Sequence, residues 1–183
     1  MNNTDTKPLA LHFNPVGKVQ SPIKTPILKA GESDIELQKR MDQMRDHHQE
    51  IKDTVSSLFI FEPWTELLDG IEGFSHILVL YWPHLIDPER RNLRKVHPMG
   101  RKDLPMQGIF ATRSPARPNP VLVSTVPLLK REGNVLTVKE LEAVDGSPLI
   151  DIKPYMRAYH DVAQARVPDW VRLIENEIHM EGK

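Results

Sequence analysis

Two arginines, a serine, an asparagine and three prolines occupy the eight residues from Arg113 to Pro120, inside the run GIFATRSPARPNP (108–120). A guanidinium holds a carboxylate or phosphate through a planar fork of N–H donors. Proline fixes φ and withholds a backbone donor, so a loop this rich in it loses little freedom when it presents polar groups to a ligand. A structural Pro-Asn-Pro turn carrying two solvated arginines fits the same residues about as well; the position between two apolar stretches, at the rim of a sheet, favours the binding loop. A second run, AVDGSPLIDIKPY (143–155), holds a turn at Asp145-Gly146-Ser147-Pro148, where the Asp145 carboxylate can accept from the backbone two residues on. Period-two alternation then sets Asp151 and Lys153 on one side of the following strand and Ile150 and Ile152 on the other. Taken alone, that pair reads first as an exposed ion pair of small energetic consequence.

Other chemistries are poorly supplied. The chain has no cysteine, which removes disulfides, thiolate metal sites, iron–sulfur clusters and cysteine nucleophiles together. His76, His84 and His97 are the candidates for a metal, but no H-E-x-x-H or comparable ligand spacing exists, so no metal is expected. His84, just past an apolar strand, reads better as the wall of a site or a capped strand end than as a ligand. Residues 90–102 carry Arg90, Arg91, Arg94, Lys95, Arg101 and Lys102 without one acid, in a chain of net charge −1. That charge balance excludes a general nucleic-acid coat. The run is either a solvated loop or a strip that follows a few phosphates.

The elements that position these groups follow from patterning. With 183 residues, 39% hydrophobic and 27% charged, the chain has the composition of an ordinary soluble domain. Strands are expected at 9–20, 57–62, 74–82, 108–112, 121–129, 135–141 and 148–152, with a hairpin turn at 131–134. Ser33 and Glu36 have capping-box spacing ahead of a stripe of Leu37, Met41, Met44, His48, Ile51 and Val55, which predicts a helix over about 34–55. A helical turn is expected at 64–70. Pro168 opens a last helix, about 168–181, with Trp170, Ile174 and Ile178 on one side. Strands in succession predict a mainly β fold with flanking helices: a small closed or partly open barrel, antiparallel or mixed, with no Rossmann domain. One domain over 1–183 is expected, its core about 9–155. No segment is long and apolar enough for a signal or a spanning helix, so a cytoplasmic setting is expected.

GIFATRSPARPNP and VDGSPLIDIKPY, with GIEGFSHILVLYWPH (70–84) upstream and FNPVGKVQSP (13–22) near the start, resemble the TsaA/TrmO family in order and spacing from about Phe13 to Tyr155. The resemblance implies a β-barrel methyltransferase that uses S-adenosyl-L-methionine, works as a homodimer, and methylates N6 of the threonylcarbamoyl-modified adenosine beside the anticodon of tRNA. It implies a cofactor pocket made by His84, Arg113, the strand near Val123, and Glu140, Leu141, Glu142 and Ala143. Arg117, Asn119, Lys153 and Tyr155 match motif positions on the substrate side. An N6 attached to a carbonyl is a poor nucleophile, so Asp145 or Asp151 is expected as proton acceptor or orienter. Arg113 is expected to hold the carboxylate of the cofactor or of the substrate's threonyl group. The chain departs from the family in having SPIKTP (21–26) where P-R-Q is common, Leu85 where Gln is common, and VLVS where IGxS is frequent. With 28 residues after Tyr155, the extra C-terminal domain of longer members is not expected. A small-molecule acceptor, or a non-catalytic barrel that binds a nucleotide or RNA, stands as the alternative.

Overall fold

Alternate burial decides the architecture. In β2 (Val55–Ile60) Ser56, Leu58 and Ile60 are buried; in β3 (His76–Tyr81) Ile77, Val79 and Tyr81 are buried; in β7 (Val135–Lys139) Leu136 and Val138 are buried. Successive strand residues point to opposite faces, so such strands share one apolar face that must be covered. Here the sheet covers it by closing on itself. The computed structural model, which describes residues 12–26, 46 and 48–179, shows a closed barrel. β1 (Gly17–Gln20), β6 (Leu122–Glu132) and β8 (Pro148–Pro154) complete it in the order β1-β2-β7-β6-β3-β8, antiparallel throughout. Closure leaves no free sheet edge and puts Val19, Leu58, Ile77, Val79, Val126, Leu136, Val138 and Leu149 in one core. β1 approaches β2 so closely that a Cβ on Gly17 would stand 2.1 Å from the Phe59 carbonyl oxygen, which is why a glycine opens that strand.

The mainly β, non-Rossmann expectation holds, and the barrel is closed and antiparallel. Several boundaries differ. Residues 12–16 precede β1 outside the assigned strand, although Val16 N–H donates to the Leu149 carbonyl and the Val16 carbonyl accepts from Phe61 N–H; 9–11 lie outside the described residues. GIFAT is not a strand: only Gln107–Gly108 (β5) pairs, with Lys95–Val96 (β4), and Ile109–Ala111 forms a 3-10 turn. Thr112 closes that turn, its backbone N–H and its hydroxyl both donating to the Ile109 carbonyl. Val55 does not end a helical stripe; helical residues stop at 53, Thr54 bonds back to the Glu50 carbonyl, and Val55 starts β2 opposite Lys139. The Ser33–Glu36 box and Leu37, Met41 and Met44 lie outside the described residues. Pro168 precedes the last helix, Asp169–His179, its carbonyl accepting from Val171 and Arg172; Ile174 is buried with Trp170 and Ile178 half-buried beside it.

In β8, Tyr81 pairs with Leu149 and Leu80 with Asp151, so Ile150 is the extra residue of a bulge. Leu149 and Ile152, not Ile150 and Ile152, are therefore the side chains that face the core. The register collects one end of the barrel: the C-terminal ends of β1, β3 and β7 and the starts of β2, β6 and β8, as in the pairs Gln20–Ser57, Val55–Lys139 and Tyr81–Leu122.

Candidate functional site

That end carries most of the residues singled out in the sequence. Tyr81, the last residue of β3, is 4% exposed. Its hydroxyl donates to the Glu142 carbonyl at 2.7 Å and lies 3.4 Å from Ser124 Oγ. Burial pushes the phenol up to about 12, against the opposing bond from Ser124, so Tyr81 is a neutral donor at physiological pH. Three residues on, His84 lies with Nδ1 3.4 Å from Ser147 Oγ, and a Cβ on Gly146 would meet its Nε2 at 3.7 Å. The imidazole thus lies against the Asp145–Pro148 turn.

Arg113 leaves the 3-10 turn and donates through Nη2 to the Val123 carbonyl at 2.8 Å, on β6 beside Ser124. Its charge is felt at Tyr81, where it favours the ionised phenol against the dominant cost of burial. Arg117 does not project as a second hook. Its Nε donates to the Ser114 carbonyl at 2.7 Å and its Nη2 to the Thr112 carbonyl, so it locks the loop from within. Asn119 is exposed, its carbonyl accepting from Val121 N–H.

Beyond β7 the chain turns sharply at Glu140, whose φ of 64° lies in the left-handed region that side-chain-bearing residues avoid. Its N–H is held by the Thr54 carbonyl. The turn buries Leu141 and Ala143 while Glu142 stays exposed, with its carbonyl fixed by Tyr81. Such stored strain is often found where backbone must be presented to a ligand.

Asp145 fastens the segment 21–26 to the rim. Its carboxylate accepts from Ser21 N–H at 2.9 Å and from Lys24 Nζ at 2.8 Å, and its own N–H donates to the Ile23 carbonyl. The Lys24 bond, aided by Ser21, holds this carboxyl below the usual carboxylate range. Beside it Gln20, Ser21, Pro22, Lys24, Val55 and Ser57 line a polar cleft of about 350 Å³.

The remaining positions are less central. Asp151 and Lys153 form the ion pair that alternation predicts, at 2.5 Å, with Asp151 also accepting from Ile152 N–H. Tyr155 is not at this rim. Its N–H donates to the carbonyl of His76, at the start of β3, and its hydroxyl to Asp161. Five strand steps separate His76 from Tyr81, about 17 Å at the usual rise. The basic run divides as well. Arg101 is 7% exposed and bound to Asp103 and Glu177, and Arg91 sits 5.2 Å over the Trp82 ring while donating to the Ile86 carbonyl. No three His, Asp or Glu side chains converge as a metal site among the described residues.

Sequence reading passed over Tyr81, Ser124, Ser147 and the Lys24–Ser21 pair. Tyr81 had a signal: a phenol closing an apolar strand needs a polar partner for its buried tip. Fold and rim together define a closed-barrel domain with a loop-built candidate site at one end, a different class from the α/β nucleotide-binding domains. The chain belongs to the tRNA-methyltransferase O N-terminal domain family, whose profile matches residues 38–161.

A probable S-adenosyl-L-methionine-binding protein of Methanothermobacter thermautotrophicus is 42% identical over 154 residues, 84% of this chain and 94% of that protein. An S-adenosyl-L-methionine-binding protein of Archaeoglobus fulgidus is 40% identical over 78% of this chain and 88% of its own. The mouse tRNA (adenine(37)-N6)-methyltransferase is 32% identical over 67% of this chain but only 28% of its own length. A TrmO crystal structure shares the fold with a TM-score of 0.64 and 25% identity, over 88% of this chain and 64% of that one. TrmO from Pseudomonas aeruginosa gives 0.59 and 24%, over 86% and 62%. The chain thus spans less than two thirds of these crystallised proteins.

Proposed function

We propose that this chain methylates tRNA with S-adenosyl-L-methionine, at N6 of the threonylcarbamoyl-modified adenosine beside the anticodon. The observation that carries the reading is the convergence of Arg113, Val123, Tyr81 and the strained Glu140–Ala143 turn on one barrel rim. These groups suit the cofactor's chemistry. The Arg113 fork complements a carboxylate, Val123 offers a partly exposed apolar wall, and the Glu140–Ala143 segment offers backbone donors and acceptors beside the Glu142 carboxylate for a nucleoside. His84 lies against the Gly146–Ser147 turn of the same rim. When bound, the cofactor supplies a methyl group already activated by a positively charged sulfur.

The protein's own task is then to align the acceptor and exclude water. Tyr81, as a neutral phenol, keeps the Glu142 backbone in place. Asp145 is a tethered carboxylate with a lowered pKa, which makes it a weak proton acceptor and a good orienter of the 21–26 segment. Asp151 is occupied by Lys153 and the Ile152 N–H, which suits a supporting role better than proton removal. We extend the proposal to a cytoplasmic homodimer; the exposed Phe110, Tyr159 and Val162 provide apolar surface for a second subunit. Among the described residues no helix is long and apolar enough to cross a membrane.

The polar cleft near Lys24 favours a second reading, a small-molecule acceptor, because about 350 Å³ admits a metabolite and not an anticodon loop. Incubation with a methyl-labelled cofactor, total tRNA and a metabolite extract separates the two. Label released as a modified adenosine on nuclease digestion is the expected result. Label found only among metabolites overturns the tRNA assignment.

A further inference from the structure

The region between β3 and β6 is built as a frame with cations left over. Arg101 is anchored to Asp103 and to Glu177 of the last helix, so one cation is spent inside and the nearby Asp103 charge is neutralised with it. Arg91 is anchored over Trp82, at the end of β3. His97 Nδ1 lies 2.9 Å from the Leu104 carbonyl, and Ile109 N–H donates to the Arg94 carbonyl next to the Lys95–Gly108 pair. What this frame leaves exposed is Arg94, Lys95 and Lys102, none in a salt bridge among the described residues. β5 then ends five residues before Arg113, so the frame runs directly into the rim loop.

We propose that the β4–β5 ribbon and its flanks are a phosphate-tracking arm, in which Arg94, Lys95 and Lys102 contact the RNA backbone while Arg91 and Arg101 keep the arm in shape. The inference rests on the tRNA reading and names the surface that reading needs. A chain of net charge −1 gains nothing from general attraction to RNA, so its contacts must come from a local excess, and residues 90–102 contain no acid. Phosphate contacts carry little sequence information and set register, which suits an arm leading to a site that acts on one nucleotide.

The test is a triple variant, Arg94→Ala, Lys95→Ala and Lys102→Ala, beside a control, Lys130→Ala and Arg172→Ala, that removes exposed cations elsewhere. Unmodified tRNA binding is measured by fluorescence anisotropy over a salt series, and binding of S-adenosylhomocysteine by calorimetry. The triple variant is expected to bind tRNA about tenfold more weakly near 0.1 M salt, with a log–log salt slope shallower by about 2. The control should keep the parental slope, and both should keep parental nucleoside binding. Parental tRNA affinity and slope in the triple variant overturn the proposal. So does a change from dimer to monomer on sedimentation, which would make the arm a subunit interface. If the parental protein binds no tRNA, the arm and the tRNA assignment fall together, whereas calorimetry judges the methyltransferase reading separately.

Discussion

Arg117 grips the carbonyls on either side of Arg113, donating through Nε to Ser114 and through Nη2 to Thr112. Arg113 in turn is bound to the Val123 carbonyl. The loop that looks in sequence like a pair of ligand hooks holds one exposed arginine, Arg113, and one clasp, Arg117.

A clasp should fail differently from a hook. Arg117→Lys keeps the charge and loses the fork that spans two carbonyls. Two lost hydrogen bonds of about 1 kcal/mol each would raise the dissociation constant of S-adenosylhomocysteine by about 10- to 30-fold. Lysine should rescue little over Arg117→Ala. Full rescue by lysine in calorimetry would show that only the charge matters and that the clasp does not.

Tyr81 makes a prediction at alkaline pH. Its phenol titrates near 10.0 in the unfolded chain and about 12 in the folded one. Between those values the unfolded state releases a proton that the folded state keeps, so stability is full below about pH 10 and falls as pH rises toward 12. Two units correspond to about 3 kcal/mol. Urea unfolding at pH 9 and pH 11 should show about half of that loss, about 1.4 kcal/mol, in the parental chain. Tyr81→Phe should abolish it, while costing about 1–3 kcal/mol at neutral pH through loss of the buried hydrogen bond to the Glu142 carbonyl. A variant with the same alkaline loss would sink the assignment.

Asp145 behaves oppositely. Its folded pKa lies below the unfolded value, so its contribution is present above about pH 4 and disappears as pH falls through the folded value. Lys24 is largely exposed, which makes the pair a weak source of global stability. The effect should be local: Asp145→Asn should speed amide exchange at Ser21, whose N–H the carboxylate holds. Unchanged exchange in the variant would show that the 21–26 segment is held by other means.

Burial patterns of β2, β3 and β7 are readable from sequence because each residue's fate there is decided by its immediate neighbours and the period of two. Arg101 is not readable in that way: its partner Glu177 is 76 residues distant, so it looked like one more solvated cation. GIFAT has strand composition, yet Thr112 turns back on Ile109 and takes the segment out of the ladder. Alternation correctly paired Asp151 with Lys153 but assigned Ile150 to the wrong face, because a bulge beside Tyr81 shifts the register by one. The resemblance located the rim residues His84, Arg113 and Glu140–Ala143. What it left unseen is the buried hydroxyl of Tyr81 that joins three strands' ends.

Glu140 tests whether the rim uses side chains or backbone there. At a φ of 64° any Cβ is strained, and glycine or asparagine tolerates that region better. Glu140→Gly and Glu140→Asn should therefore each stabilise the fold by about 0.5–1 kcal/mol in chemical denaturation. If the segment presents its backbone to the nucleoside, Glu140→Asn should also bind S-adenosylhomocysteine within about twofold of the parent. Glu140→Gly should bind more weakly, because the freed turn must be ordered again on binding. Equal and large losses in both variants would instead put the Glu140 carboxylate itself on the ligand, and the strain would then be incidental to recognition.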